Sequence, residues 1–241
     1  MVNKKKSKIF LPILIVITIL VLTSLSFHYL SSNNNNEKVV ENFGNKKIDL
    51  PKPNIDGGIS VEKALAERRS IRDFKDEELS LEKISQLLWA AQGVTSPNGK
   101  RTAPSAGATY PLETYLVVRK VDSLEPGIYR FIPNEHSLIK IFEGAKNAEL
   151  SSAALGQGFI ESAPINIVLA ADYKRTTENY GQRGEMYVHM EAGHAAQNLY
   201  LQSESLDLGM VVVGAFDDED VKKVLLLPEN EEPLYIIPIG K

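Results

Sequence analysis

The sequence predicts an α+β domain behind an apolar N-terminal segment, and three observations carry that reading. The chain has 241 residues, 43% hydrophobic and 24% charged, the ordinary balance of a folded protein. Apolar residues recur at helical spacing in some stretches and as short continuous runs in others. Helices and strands are interleaved without the regular alternation that builds a parallel sheet.

The elements follow in chain order. Lys4, Lys5, Lys6 and Lys8 precede Ile9–Leu30, 22 residues without Asp, Glu, Lys or Arg. As a helix this run reaches roughly 33 Å, enough for a hydrocarbon core of about 30 Å. The lysines place their side in the cytoplasm and the body beyond the membrane. A secreted protein cleaved near Ser24 and Ser26 is the alternative. Residues 31–54 begin SSNNNN and read as a polar linker, leaving 55–241 as one domain-sized body. Ser60 caps a short helix through Arg68, and Ser80 caps another, with Leu81, Ile84, Leu87, Leu88 and Ala91 on one face and its end at Gly93. Residues 94–111, rich in Gly, Pro, Ser and Thr, form a long loop suited to binding. Strands are expected at 113–119, 128–132, 138–142, 164–169, 210–213 and 233–239, with helices at 147–155 and 217–227. The longest body helix spans 185–206, with Met186, Met190, Gly193, Gln197 and Tyr200 or Leu201 on one stripe. Its Ala192, Gly193, Ala195 and Ala196 suit close packing in a core or a dimer interface.

Composition removes several functions. Without the four N-terminal lysines, 23 basic and 31 acidic side chains remain, so the body is acidic and has no footprint for nucleic acid. The chain has no cysteine, which excludes disulfides, thiolate metal sites, iron–sulfur clusters and thiol nucleophiles. Of the four histidines, His189 and His194 stand at i and i+5, whereas a zincin helix needs i and i+4. Glu191 and His194 match half of a di-iron helix motif, but no second copy exists. No metal site is expected, and these histidines read as structural residues of a core helix. The nucleophile elbow, the P-loop and the dinucleotide fingerprint are absent.

Three segments remain. Arg68, Arg69, Ser70 and Arg72 gather three guanidiniums and a hydroxyl within five residues, a donor set matched to phosphate oxygens. The small residues between Arg101 and Pro111 let backbone lie flat against a planar ligand. In Val213-Gly214-Ala215-Phe216-Asp217 a strand turns into a helix, where bare amides can meet a ligand edge.

Together with EPGIYRF, MEAGHAAQNLYLQ and EPLYIIPIG, these segments resemble the nitroreductase superfamily, and within it the SagB-type dehydrogenase branch, over about residues 59–241. The resemblance implies a central mixed or antiparallel sheet flanked by helices, in a homodimer with FMN at two interfacial sites. It implies that Arg68 and Ser70 bind the phosphate and ribityl end and that Arg72 approaches the pyrimidine edge. Pro104, Ser105, Ala106 and Gly107 are implied to reach the flavin from the partner subunit, and the amides of Gly214 and Ala215 to meet flavin O4 and N5. Many relatives place a basic residue near the C terminus on the phosphate, and the resemblance implies Lys241 as its equivalent here. The implied activity is hydride transfer at flavin N5 to or from a small-molecule or peptide substrate. An NAD(P)H-dependent nitro or quinone reductase and a membrane-tethered flavin-binding module without turnover are the alternatives.

Overall fold

A computed structural model describes residues 47–241. The expected membrane segment and the linker up to residue 46 lie outside the described residues. Among the described residues no helix is long and apolar enough to cross a membrane.

The domain is built on a seven-stranded sheet with the order β1-β4-β3-β2-β5-β7-β6, every neighbouring pair antiparallel. The strands are β1 Lys47–Asp49, β2 Leu112–Val118, β3 Gly127–Ile132, β4 Ser137–Glu143, β5 Ile165–Ala171, β6 Gly209–Met210 and β7 Glu232–Gly240. The helices are α1 Val61–Glu67, α2 Leu81–Gln92, α3 Asn147–Ala153, α4 Gly158–Ser162, α5 Lys174–Tyr180, α6 Arg183–Ser205 and α7 Asp218–Leu225. A 3₁₀ turn covers Ala106–Ala108.

Every residue of β2 and β5 is buried, because both faces of the sheet are covered and successive side chains point to opposite faces. Leu112, Leu116 and Val118, with Ile165, Ile167 and Leu169, pack under α2 and α6. Tyr115, Val117, Val168 and Ala170 pack against α3, α4 and α7. On α2, Ile84, Leu87 and Leu88 are fully buried, each contributing about 1.5–3 kcal/mol of transfer free energy.

The expected caps are present. Ser60 Oγ accepts from the Lys63 amide, Ser80 Oγ from the Lys83 amide and Asp217 from the Asp220 amide. Gly93 ends α2 for a reason other than left-handed backbone. Its φ is −64°, and a Cβ there would lie 2.2 Å from the Trp89 ring.

Four expectations need correction. The stretch read as linker supplies the edge strand β1, paired with β4, and Leu50 after it is buried. Helices α4 and α5 were not expected, since sequences such as KRTTENY have no apolar period. The buried side of α6 is Val188, Ala192, Ala195, Ala196 and Leu199, whereas Met186 and Met190 are 44% and 49% exposed. His189 and His194 fall on that exposed side as well, so they are not core histidines.

Candidate functional site

Helix α1 ends at Arg68, and the chain then runs extended beside β6. The Ile71 amide donates to the Met210 carbonyl at 2.9 Å, and Ser70 pairs with Met210 as a parallel bridge. Tyr200 of α6 fastens this segment. Its hydroxyl bonds Ser70 Oγ at 2.9 Å and accepts from the Val212 amide at 3.2 Å, while the Arg68 guanidinium lies 5.1 Å from the ring centroid. Arg72 lies 5.8 Å from the Phe159 ring. Arg69 turns away: its guanidinium donates to the Ala66 and Arg68 carbonyls at 3.0 and 2.8 Å, closing the end of α1.

Beyond Met210 the chain bridges β7 through Val213 and Ile236, then leaves the sheet at Gly214 and Ala215. Both residues are exposed, and among the described residues neither of their N–H groups has a protein acceptor. The Ala215 carbonyl accepts from Gln157 Nε2 at 2.9 Å. Gln157 precedes α4, which carries Phe159, so one short segment positions both Ala215 and Arg72. The structure therefore joins Ser70 to the strip 210–215 directly at Met210, Arg68 to it through Tyr200, and Arg72 to it through Phe159 and Gln157.

Lys241 extends the same side of the domain. Its carbonyl accepts from the Lys75 amide at 2.6 Å and its ammonium pairs with Glu77 at 2.8 Å. That hydrogen bond, with the attraction of the ammonium, holds the Glu77 carboxyl below its usual range.

Pro104–Gly107 are placed elsewhere. The Ala106 amide donates to Glu191 Oε1 at 2.8 Å, and Ser105 Oγ accepts from the Tyr110 amide at 2.9 Å. Gly107 has φ +59°, which favours glycine. Glu191 lies nine residues, roughly 14 Å, along α6 from Tyr200. No hydrogen bond or ring contact joins this loop to Arg68–Arg72 or Gly214–Ala215 among the described residues. Glu191 is 4% exposed, and burial raises its carboxyl above the usual range, against the Ala106 and Ser105 hydrogen bonds. The half-motif Glu191-x-x-His194 thus serves a loop anchor, and no group of three metal-ligating side chains occurs among the described residues.

A cavity of about 590 Å³ opens beside Gly214, walled by Phe216, Pro233, Leu234 and Tyr235 and carrying Tyr173 and His189. The Tyr173 hydroxyl and His189 Nε2 lie 2.5 Å apart. Burial, and after it the carboxylates of Glu232, Glu185 and Asp218, pushes the Tyr173 phenol up to about 12. The phenol is therefore protonated at neutral pH and shares a hydrogen bond with the imidazole nitrogen. A larger cavity of about 660 Å³ lies between residues 52–64, α2 and the second half of α6, and holds none of the predicted site residues.

Tyr200, Gln157, Phe159, Glu191, Tyr173 and His189 were not assigned site roles from the sequence. The available signal is weak: Tyr200 and His189 belong to a helix read by its apolar period, and Tyr200 meets Ser70 across 130 residues.

Residues 65–241 match the sequence pattern of the nitroreductase family. A Methanocaldococcus jannaschii protein assigned as a nitroreductase is 47% identical over 80% of this chain and 96% of its own length. The crystal structure of a Ralstonia eutropha protein assigned as a nitroreductase superposes with a TM-score of 0.71. It is 32% identical and covers 81% of this chain and 89% of that one. The NADPH-dependent FMN reductase of Bacillus subtilis is 25% identical over 71% of this chain, which spans 61% of that relative.

Proposed function

The chain belongs to the nitroreductase family, and from that premise we propose how it holds its cofactor and what it does with it. It is an oxidoreductase and its cofactor is FMN, the group in the Bacillus relative's activity. The residues present fit such a group. Two consecutive exposed amides without acceptors among the described residues, at Gly214 and Ala215, stand on the strip that Met210 and Tyr200 join to Ser70 and Arg68, and that Gln157 and Phe159 link to Arg72. That juxtaposition is the observation that carries the reading.

In this proposal Arg68 and Ser70 hold the phosphate and ribityl end, with Lys241 adding positive charge, since guanidinium forks and ammonium groups match phosphate. Arg72 faces the pyrimidine edge and favours negative charge there. The Gly214 and Ala215 amides hold the O4 and N5 edge. Bound FMN supplies hydride transfer at N5. Arg69 is left out of the set, because its Nη1 is folded back onto the carbonyls of its own helix end.

Pro104–Gly107 complete the site of a second copy in a homodimer. Supporting this, Met186, Met190, Val61 and Leu65 are exposed apolar side chains, and a Cβ at Gly193 would meet open space. The body is tethered to the membrane by Ile9–Leu30, a reading supported by the uncharged run behind Lys4–Lys8.

The order of the motifs favours a SagB-type dehydrogenase, which removes a hydride from an azoline-like ring. The NADPH in the Bacillus relative's name favours a second reading, an NAD(P)H-dependent nitro or quinone reductase. Anaerobic addition of substrate to the FMN-loaded full chain separates them. Bleaching of the flavin by NADPH supports the reductase, bleaching by a thiazoline peptide alone supports the dehydrogenase, and bleaching by neither overturns both.

A further inference from the structure

We propose that Tyr173, oriented by His189, is the proton-exchanging residue for the substrate in the cavity beside Gly214. The inference rests on the reading that Gly214 and Ala215 hold the flavin's N5 edge. It goes beyond that reading by naming a chemical group on the substrate side. Three observations carry it. Tyr173 and His189 share one hydrogen bond of 2.5 Å, with rings edge to face at 84° and centroids 5.6 Å apart. Both line the same cavity of about 590 Å³ as Gly214, whose amide, without an acceptor among the described residues, marks the cofactor end. The rest of the wall is mixed, with apolar Phe216, Pro233, Leu234 and Tyr235 beside the carboxylates of Glu185, Asp218 and Glu232, and the imidazole is exposed to solvent on its own helix face.

A hydroxyl bonded to an imidazole is a two-site proton path. When a substrate gives up a proton, that proton forms an O–H bond on Tyr173 Oη while the phenol's own O–H bond breaks and its proton moves to His189 Nε2. The imidazolium then releases a proton to water. When a substrate takes up a proton, the same atoms move in reverse. The phenol proton goes to the substrate, the imidazolium Nε2–H replaces it, and solvent reprotonates the ring. The electron pair is supplied or taken up by the FMN oxidoreductase activity, and the two side chains carry only the proton.

The charged groups facing the pair are Glu185 on α6, Asp218 on α7 and Glu232 on β7, the last paired with Lys222 at 2.7 Å. Their carboxylates disfavour a tyrosinate. Tyr173 touches the substrate in this scheme and is the catalytic residue; His189 is the positioning residue.

The test uses the full FMN-loaded chain, the variants Tyr173→Phe and His189→Gln, and 2-methyl-1,4-naphthoquinone, which takes two electrons and two protons. The flavin is photoreduced under argon, so that no electron donor has to be known, and its reoxidation by the quinone is followed across pH. The expected result is a Tyr173→Phe rate about 100-fold lower at neutral pH, the low end of general acid–base effects. His189→Gln is expected to flatten the pH profile. In FMN-free protein, the NMR titration of the His189 ring, assigned by its loss in His189→Gln, is expected to shift in Tyr173→Phe. Unchanged rates, profile and titration with FMN still bound overturn the proton path and leave the flavin reading standing. Failure of the wild-type chain to bind FMN overturns the flavin reading itself and, with it, this inference.

Discussion

Replacing Tyr200 by phenylalanine tests the joint between α1 and the strip 210–215. The ring stays, so the Arg68 contact at 5.1 Å is kept, but the hydroxyl's two partners are released. Ser70 is exposed and finds water, a loss of about 0.5 kcal/mol. The half-buried Val212 amide loses its acceptor, which costs about 1–2 kcal/mol more. A total near 2 kcal/mol lowers Tm by about 4–8 °C for a domain of this size. If about 1.4 kcal/mol of that is felt only when the strip is held in its binding geometry, FMN affinity falls about tenfold. Scanning calorimetry without FMN and a fluorescence titration with FMN measure the two effects separately. A Tm within 1 °C of wild type and an unchanged Kd would refute the claim that Tyr200 positions Ser70 and the strip.

Three further outcomes follow from the same geometry. Burial raises the Glu191 carboxyl above the 4.5 of an unfolded chain, so the folded state holds the proton longer. Its contribution is then fully present below pH 4.5 and is lost as pH rises through the folded value. Glu191→Gln cannot ionise, so its Tm relative to wild type should climb from pH 4 to 7, and a constant difference would contradict the assignment. Gly107→Ala places a Cβ at φ +59° and 2.7 Å from the Tyr180 hydroxyl. It is expected to cost about 1 kcal/mol and to lower Tm by about 2–4 °C, checked by calorimetry. Met190→Asp puts a charge on the exposed apolar side of α6 and should halve the mass measured by light scattering, whereas an unchanged mass would move the subunit interface elsewhere.

The local elements were legible because their signals are local. Ser60, Ser80 and Asp217 cap the helices that their spacing announced, and the runs LETYLVV and INIVLAA became fully buried strands. Strand β1 was not legible, since three polar-flanked residues form a strand only because β4 offers its edge. The sequence pattern points to the wrong face of α6 because Met186 and Met190 outweigh alanine on any hydropathy scale, while the tight core selects Ala192, Ala195 and Ala196. Of the site, the arginine–serine segment and the Gly214–Ala215 turn could be named from their chemistry. Their supports could not, because Ser70 meets Tyr200 across 130 residues and Ala215 meets Gln157 across 58. The pair Tyr173 and His189 is only 16 residues apart, but its hydrogen bond joins a loop after β5 to the second turn of α6 across the unforeseen helix α5.

The most direct test of the account is the FMN content of Arg68→Ala/Arg72→Ala beside wild type, each purified, reconstituted, denatured and assayed for released flavin. The account predicts about one FMN per wild-type chain and little or none from a double variant that still unfolds cooperatively. Equal FMN in both proteins would contradict it, since the flavin would then be held somewhere other than the strip that joins Ser70 to Gly214 and Ala215.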